Sequence, residues 1–575
     1  MLRREVIPLK GELKLSLSLP GSKSITNRAF AIAALAKGKS RIYGALQSDD
    51  TKVMLGALEK LGVPVKVGRD FILIGGTRGQ FKSGVLTIDV GASGTTTRFL
   101  TALLVLRKGK TTLKGTKRMM ERPMKDLEDA LAQLKGGAQV IKIRGDKSSQ
   151  FLSALLMISP LVGPLKIEVQ GKLVSKPYID TTLAVMRAFG VRVKNNAYES
   201  FEIKAQEYRG TDYYVEGDAS AASYFSALNF LHGGHLEFEN LNYKKSIQGD
   251  VDFPEALKQL RKRSPRVIDM EAMPDTALTL ACVAPFVKGE TKITGLSTLR
   301  LKETDRLVAL EAELKKVGVK VRKSKDFLAV GSLEFGVWSK KRAPSSQLPT
   351  SNSIKTYDDH RMAMSFAVLG TMVPGIVIED PGCTAKTYPK FWKDLERAYL
   401  RPMKLGQKHL VLIGMRASGK SMHGKKIAKL LGRKFVDMDA EIEKEEGMSI
   451  EEVVREKGWS AFRKVEQKMC SKIYSKFDEP LVVAAGGGVV LDDRAMKALK
   501  RGAVTAFIYA DPDRLASRLA IKSGKRPSLT GKKLAEEVYA VWRERQDLYL
   551  KYADHIWDDT SGDQLERWYK HGGIQ

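Results

Sequence analysis

A chain of 575 residues exceeds what one hydrophobic core can organise, because compact domains run to about 100–200 residues. Apolar residues make up 43% and charged residues 28%; no apolar run reaches the roughly 18–20 residues that span a bilayer, and three scattered cysteines (Cys282, Cys383, Cys470) exclude a disulfide framework or zinc site and fit a reducing cytoplasm. The net charge of +31 calls for anionic partners, and because Lys and Arg are spread along the chain, phosphorylated small molecules fit it better than nucleic acid or a membrane surface.

From the N-terminus, Met1–Ser24 has no apolar run of the kind a signal peptide needs. Six segments before residue 400 then read as amphipathic helices, with apolar residues at helical spacing after a polar or proline start. They are Asp50–Val67, Arg122–Leu134, Asp180–Lys194, Asp252–Leu260, Lys302–Lys323 and Tyr388–Leu400. Three of them pass through a glycine (Gly62, Gly190, Gly318) into an alternating stretch of strand character. Glycine there supplies the left-handed cap that ends a helix. The spacing of about 50–90 residues is too irregular for a solenoid and predicts one α/β unit used several times. A seam at Leu400–Lys408 contains proline and glycine. Beyond it a buried strand, Leu410–Ile413, enters a glycine loop, Gly414–Ser421, and then a helix, Met422–Leu431. The tail after Ser561 is polar and reads as peripheral.

The loop GMRASGKS has the pattern that cradles phosphates between a strand and a helix. Gly414, Ser418 and Gly419 belong to a backbone whose N–H groups face ATP, Lys420 adds a mobile charge for the β- and γ-phosphates, and Ser421 offers a hydroxyl to Mg2+. The region from about Leu410 to Asp554 resembles shikimate kinase in Phe435–Glu443, Phe462–Glu466, Ala484–Val490, Lys525–Leu529 and Arg545–Asp554. That resemblance implies Asp437 near the Mg2+, Asp439 on the hydroxyls and the reacting proton of shikimate, and Arg463 and Arg545 on its carboxylate. It also implies Gly486, Gly487 and Gly488 as the loop against substrate and γ-phosphate, and Arg526 as a lid arginine with a catalytic role. Arginine suits the task because its planar fork grips a carboxylate with two bonds. Taken alone, Asp437 also suits a helix N-cap, and Arg463 or Arg545 a surface ion pair.

The first 400 residues contain no nucleotide loop. They carry polar clusters such as Leu19–Ala29, Gly91–Arg98, Ser148–Leu156, Ser175–Tyr178, Met273–Ala277, Lys302–Arg306, Asp358–Ala363 and Gly382–Pro389. In sequence and order these resemble enolpyruvyl-shikimate-phosphate (EPSP) synthase over residues 4–400. The resemblance implies phosphoenolpyruvate contacts from Lys23, Gly94, Arg122, Gln150, Arg306, Arg361 and Lys386. It implies contacts to shikimate 3-phosphate from Lys23, Ser24, Arg28, Ser148, Ser149, Gln150, Ser175, Tyr178, Asp275 and Lys302. Asp275 and Glu303, with Lys23, match the acid–base groups that the addition and elimination steps require. His360 carries no firm role, since a core histidine explains it as well. The related UDP-N-acetylglucosamine enolpyruvyl transferases usually carry a cysteine in the loop before their Arg-Pro, and Gly115–Pro123 has none. Two departures stand out: Ala92 occupies a position where the family often has Asn, and the segment before Ser148 is short, which predicts a trimmed strand pair.

The implied fold class is α/β. A two-lobed enolpyruvyl-transferase fold, an inside-out α/β barrel of six βαβαββ units, spans 1–403, with one lobe from 1–20 and 217–403 and the other from 21–216. A linker, 404–408, leads to a three-layer P-loop kinase domain with a parallel sheet at 409–560, followed by the tail 561–575. The expectation is a bifunctional cytoplasmic enzyme: the C-terminal part makes shikimate 3-phosphate from shikimate and ATP with Mg2+, and the N-terminal part, needing no cofactor, adds enolpyruvyl from phosphoenolpyruvate. No nucleic-acid or membrane partner is expected, and a monomer is compatible with the sequence. The rivals are a single-activity enzyme with a silent domain and a basic, nucleic-acid-associated P-loop ATPase, the latter lacking the stacking aromatics or basic helix it would need.

Overall fold

Some helices of this chain are apolar on every side, and a helix of that kind has to be buried all round. In Lys23–Leu35 every residue from Ile25 to Leu35 is buried, and in Ser149–Val162 the same holds from Phe151 to Pro160. The computed structural model describes residues 3–333, 352–401, 403–477, 479–521, 534–559, 564–570 and 573–574. They divide into two compact units, Met1–Pro8 with Ser16–Phe391, and Leu9–Leu15 with Trp392–Gln575.

In the first unit the buried helices come in threes. Lys23–Leu35, Gly94–Leu103 and Ser149–Val162 pack on one another, as do Ala219–His232, Ala277–Val283 and His360–Gly370. Sheets and amphipathic helices wrap each trio, which is what turns the barrel inside out. Fully burying a side chain such as Phe30, Phe99 or Phe151 contributes about 1.5–3 kcal/mol. Five of the six amphipathic helices expected from periodicity are the outer ones of this unit, Asp49–Lys60, Lys125–Lys135, Lys176–Ala188, Phe253–Leu260 and Arg306–Lys316, and the sixth, Phe391–Tyr399, falls in the second unit from Trp392 on. Gly62, Gly190 and Gly318 all take positive φ (88°, 91° and 83°) as their helices end.

Six sheets accompany these helices among the described residues, and three of them have four strands. In one, Lys37–Tyr43 pairs antiparallel with Phe71–Thr77 and parallel with Asp212–Tyr214. In another, Val140–Arg144 runs parallel to Leu165–Gln170. A third orders Arg266–Asp269, Thr291–Thr294, Leu328–Val330 and Val321–Lys323 side by side. The sheet of Leu86–Asp89 and Thr111–Lys114 has two strands only. After it the helix Lys125–Lys135 passes through a short exposed turn, residues 136–139, into the strand Val140–Arg144.

The second unit has a five-stranded parallel sheet in the order Lys434–Asp437, Leu481–Ala484, His409–Ile413, Ala503–Tyr509, His555–Asp558. A strand flanked on both sides must be apolar throughout, and Leu410–Ile413 and Leu481–Ala484 are wholly buried. The helix Lys420–Leu431 follows the central strand.

Candidate functional sites

The buried helices position the first site, because they begin at it. Lys23 and Ser24 open one helix, Gly94, Thr95 and Arg98 lie in the first turns of the second, and Ser148 caps the third by accepting from Gln150 N. In the other trio, Asp275 sits just before Ala277–Val283, and His360 and Arg361 open the last helix, capped by Asp359. Helix N-termini present unsatisfied N–H groups and partial positive charge, so several of them around one cleft favour anions. The cleft measures about 840 Å³.

Its lining includes every residue expected to bind the two synthase substrates except Arg28 and Lys386. Asp275 is its electrostatic centre. One carboxylate oxygen takes Arg306 at 3.1 Å and Lys302 at 3.2 Å, and the other takes Arg361 at 3.1 Å and the Tyr178 hydroxyl at 3.3 Å. Burial opposes this charge, yet Arg361, Lys302 and Arg306 outweigh it and hold the Asp275 pKa well below the usual carboxylate range. Glu303 is also held well below its ordinary value: burial again opposes the charge, and Arg306 (2.9 Å), Lys386 (3.9 Å) and Arg122 dominate. Arg306 itself is 1% exposed and also pairs with Asp359 at 2.7 Å. Burial, then Lys23 and Arg361, keep His360 neutral, with its pKa well below 6.5. Neither of its ring nitrogens has a hydrogen-bond partner among the described residues.

Ser175 holds a left-handed conformation (φ 55°) at the start of the helix that carries Tyr178, a strained arrangement common at ligand sites. Gly94 leaves the Arg122 guanidinium its place, since a Cβ there would lie 2.5 Å from Arg122 Nη1 and that side chain would have to move. Lys386 reaches the site through Glu303 rather than as cleft lining. Arg28 differs from its expected role. Its guanidinium is buried, donating to Thr182 Oγ1 (2.7 Å), Ser24 O (2.8 Å), Ser153 Oγ (3.2 Å) and Tyr178 O (3.2 Å). It therefore braces the segments bearing Ser24 and Tyr178 and does not line the cleft. The expected roles also omitted Asp50, which pairs with Lys23 at 3.3 Å, and Arg98. Both fall inside polar clusters visible in the sequence, SDDT and GASGTTTR.

In the second unit the glycine loop joins the central strand to Lys420–Leu431, and Gly414 and Gly419 have positive φ (152° and 98°). Lys420 Nζ donates to the carbonyls of Gly414 and Met415, both at 2.9 Å, folding back over the loop. Ser418 is buried beneath it. Ser421 Oγ donates to Asp437 Oδ2 at 2.6 Å, and Asp437 also caps Met438–Glu446 by accepting from Asp439 N at 3.1 Å. The N-cap reading of Asp437 therefore holds, and its second oxygen faces the hydroxyl of the glycine loop. Around the triple glycine the expected groups converge. A Cβ on Gly486 would lie 3.0 Å from Asp439 Oδ1 and 2.5 Å from Glu466 Oε1, and one on Gly488 would collide with the Arg463 guanidinium. Arg545 Nη1 donates to Gly487 O at 3.2 Å. Glu466, absent from the expected set, pairs with Arg463; its pKa is raised, burial outweighing that arginine. Arg526 lies outside the described residues.

Comparison with known proteins matches the two parts of the chain to two families. The family model of EPSP synthase (3-phosphoshikimate 1-carboxyvinyltransferase) matches residues 7–395, and that of shikimate kinase matches residues 416–569. The 3-phosphoshikimate 1-carboxyvinyltransferase of Paraburkholderia phytofirmans is 39% identical over 428 residues, covering 66% of this chain and 95% of that protein. Its counterpart in Shewanella halifaxensis is 41% identical over 420 residues, with the same coverage. Among solved structures, EPSP synthase from Acinetobacter baumannii has the same fold, with a TM-score of 0.55 at 22% identity over 69% of this chain and 98% of that one. The chain belongs to the EPSP synthase family and carries a shikimate kinase domain after it, two transferases in one polypeptide.

Proposed function

We propose that the two domains carry out consecutive reactions: the second phosphorylates the 3-hydroxyl of shikimate with ATP, and the first joins the enolpyruvyl group of phosphoenolpyruvate to the 5-hydroxyl of the resulting shikimate 3-phosphate, releasing phosphate. The observation that carries the synthase reading is the meeting of Asp275 and Glu303 with Lys23, Lys302, Arg306, Arg361 and Arg122 in one cleft at helix N-termini. Two phosphates and two carboxylates have to share that space, and the cations answer them. Ser148, Ser149, Ser175 and Tyr178 supply neutral donors to shikimate 3-phosphate, and Gly94 leaves room for phosphoenolpyruvate beside Arg122.

Against the cost of burial, the cations around the two carboxylates hold them ionised, Arg361 and Lys302 chiefly at Asp275 and Arg306 and Lys386 at Glu303. Anionic substrates take a share of Arg306, Arg361 and Lys386, which weakens that hold and lets Asp275 or Glu303 carry a proton. One carboxylate then removes the proton of the attacking hydroxyl. The other, or Lys23, delivers a proton to the methylene carbon and takes one back as phosphate leaves. The surrounding cations stabilise the charge on the departing phosphate.

In the kinase domain Lys420 and the loop N–H groups hold the phosphates. Ser421 Oγ and Asp437 Oδ2 form a pair of hard oxygen donors 2.6 Å apart, which suits Mg2+. They would hold that ion, which when bound neutralises charge on the β- and γ-phosphates. Arg463 and Arg545 grip the carboxylate of shikimate, Asp439 orients its hydroxyl and accepts the proton, and Arg526 closes on the phosphates.

The test is to incubate the purified chain with shikimate, Mg-ATP and phosphoenolpyruvate and to follow ADP, phosphate and the enolpyruvyl product. ADP and product should appear together. Lys420→Ala should abolish both, and added shikimate 3-phosphate should restore the product alone. No ADP from the wild-type chain would overturn the kinase reading, and no product from shikimate 3-phosphate would overturn the synthase reading.

A further inference from the structure

Gln150 is the one amide among the residues assigned above to the synthase substrates, and an amide has two ends of opposite character. Its oxygen would repel a phosphate or carboxylate, whereas its NH2 would bind one. Something has to choose the end. Arg98, on the helix Gly94–Leu103, donates from Nη1 to Gln150 Oε1. A guanidinium can only donate, so the atom facing it has to be the amide oxygen, and this fixes an assignment that geometry alone leaves open. The NH2 group then turns the other way, reaching Thr95 Oγ1 at 3.4 Å on the cleft side.

Arg98 is built for that duty and for little else. It is 3% exposed, and its guanidinium sits 5.3 Å from the centre of the Phe151 ring, on the residue next to Gln150. Among the described residues it pairs with no carboxylate, and its Nε has no hydrogen-bond partner. A buried cation in that state is held at a cost. Burial, and after it neighbouring Arg122, bring its pKa down to about 9. A structural role alone would be served by an apolar side chain packed on Phe151.

We propose that Arg98 is a positioning residue of the synthase reaction: it locks the Gln150 amide with its donor end toward the cleft, so that Gln150 meets phosphoenolpyruvate as a hydrogen-bond donor. This rests on the synthase reading above. The deciding experiment is a double-mutant cycle in the full chain with Arg98→Met, which keeps an unbranched stem against Phe151, and Gln150→Ala. Each single change is expected to raise the KM for phosphoenolpyruvate about tenfold or more with a smaller effect on kcat. If Arg98 acts through Gln150, the double variant stays within about threefold of the worse single variant. Arg98→Lys, which keeps a donor toward Oε1, should recover most of the loss.

Three results would overturn the proposal. They are a KM near wild type in Arg98→Met, multiplicative effects in the cycle, or no recovery in Arg98→Lys when its thermal transition matches that of the wild type. Turnover by the wild-type chain tests the synthase reading separately. Should that turnover be absent, the same cycle read as phosphoenolpyruvate binding by titration calorimetry still decides for or against Arg98.

Discussion

Replacing Asp275 with Asn changes one atom and removes the charge on which three cations converge. The carboxylate takes Arg306, Lys302 and Arg361 at 3.1, 3.2 and 3.1 Å, and its side chain is 17% exposed. Breaking a buried ion pair outright costs about 3–5 kcal/mol. Here Arg306 keeps Glu303 and Asp359, and the cleft is open to water, so a loss of about 1–3 kcal/mol is the better figure. For a domain of this size that lowers Tm by about 1–4 °C. The chemical effect should be larger: removing a general acid–base group costs about 10²–10⁴ in kcat, or about 3–5 kcal/mol of barrier. The pH dependence has a definite sign. A carboxylate with a depressed pKa contributes stability that is fully present above its unfolded value and is lost as pH falls through the folded value. The Tm gap between wild type and Asp275→Asn should therefore be constant from neutral pH to roughly pH 5 and shrink below about pH 4. Phosphate release from shikimate 3-phosphate and phosphoenolpyruvate, with calorimetric unfolding across pH, measures both. A kcat within about threefold of wild type would remove Asp275 from the acid–base chemistry, and a Tm gap that widens on acidification would refute the assigned shift.

Gly94→Ala places a methyl 2.5 Å from Arg122 Nη1, so the KM for phosphoenolpyruvate should rise by about tenfold or more while the kinase reaction is unaffected. Gly488→Ala pushes against the Arg463 guanidinium; steady-state kinetics should show a higher KM for shikimate and an unchanged KM for ATP. Asp437→Ala loses a helix cap and the bond to Ser421. Unfolding should report a loss of about 1 kcal/mol, and a magnesium titration at fixed ATP should show a raised half-saturation point.

The outer helices were legible because they are half exposed: Lys125–Lys135 and Arg306–Lys316 alternate buried and open positions at helical spacing. The inner helices were not legible from periodicity, since a helix buried on all sides has no period to detect. Boundaries shifted for local reasons. The helix expected from Asp180 begins at Lys176, with Pro177 in its first turn, where a missing N–H costs nothing. The charges of Lys302–Arg306 do not open a helix as a group; Asp305 caps it and Arg306 begins it. Most site residues could be read from short motifs matched in order. What those motifs could not show was direction. Arg28 stands one turn from Ser24, yet it points into the protein and is consumed there. The duty of Arg98 depends on Gln150, which lies 52 residues away.

The exposed turn between the helix Lys125–Lys135 and the strand Val140–Arg144 has a practical use. Its backbone closes with short-range bonds, Gly136 N to Ala132 O and Gly137 N to Leu134 O. Doubling a loop's length costs only about 0.6 kcal/mol in closure entropy, so a peptide inserted between Gly136 and Gly137 would be accommodated at small expense to the fold. A dye or affinity tag placed there would sit on the same polypeptide stretch that leads to Ser148, giving an optical handle on the synthase domain that leaves the kinase domain unlabelled.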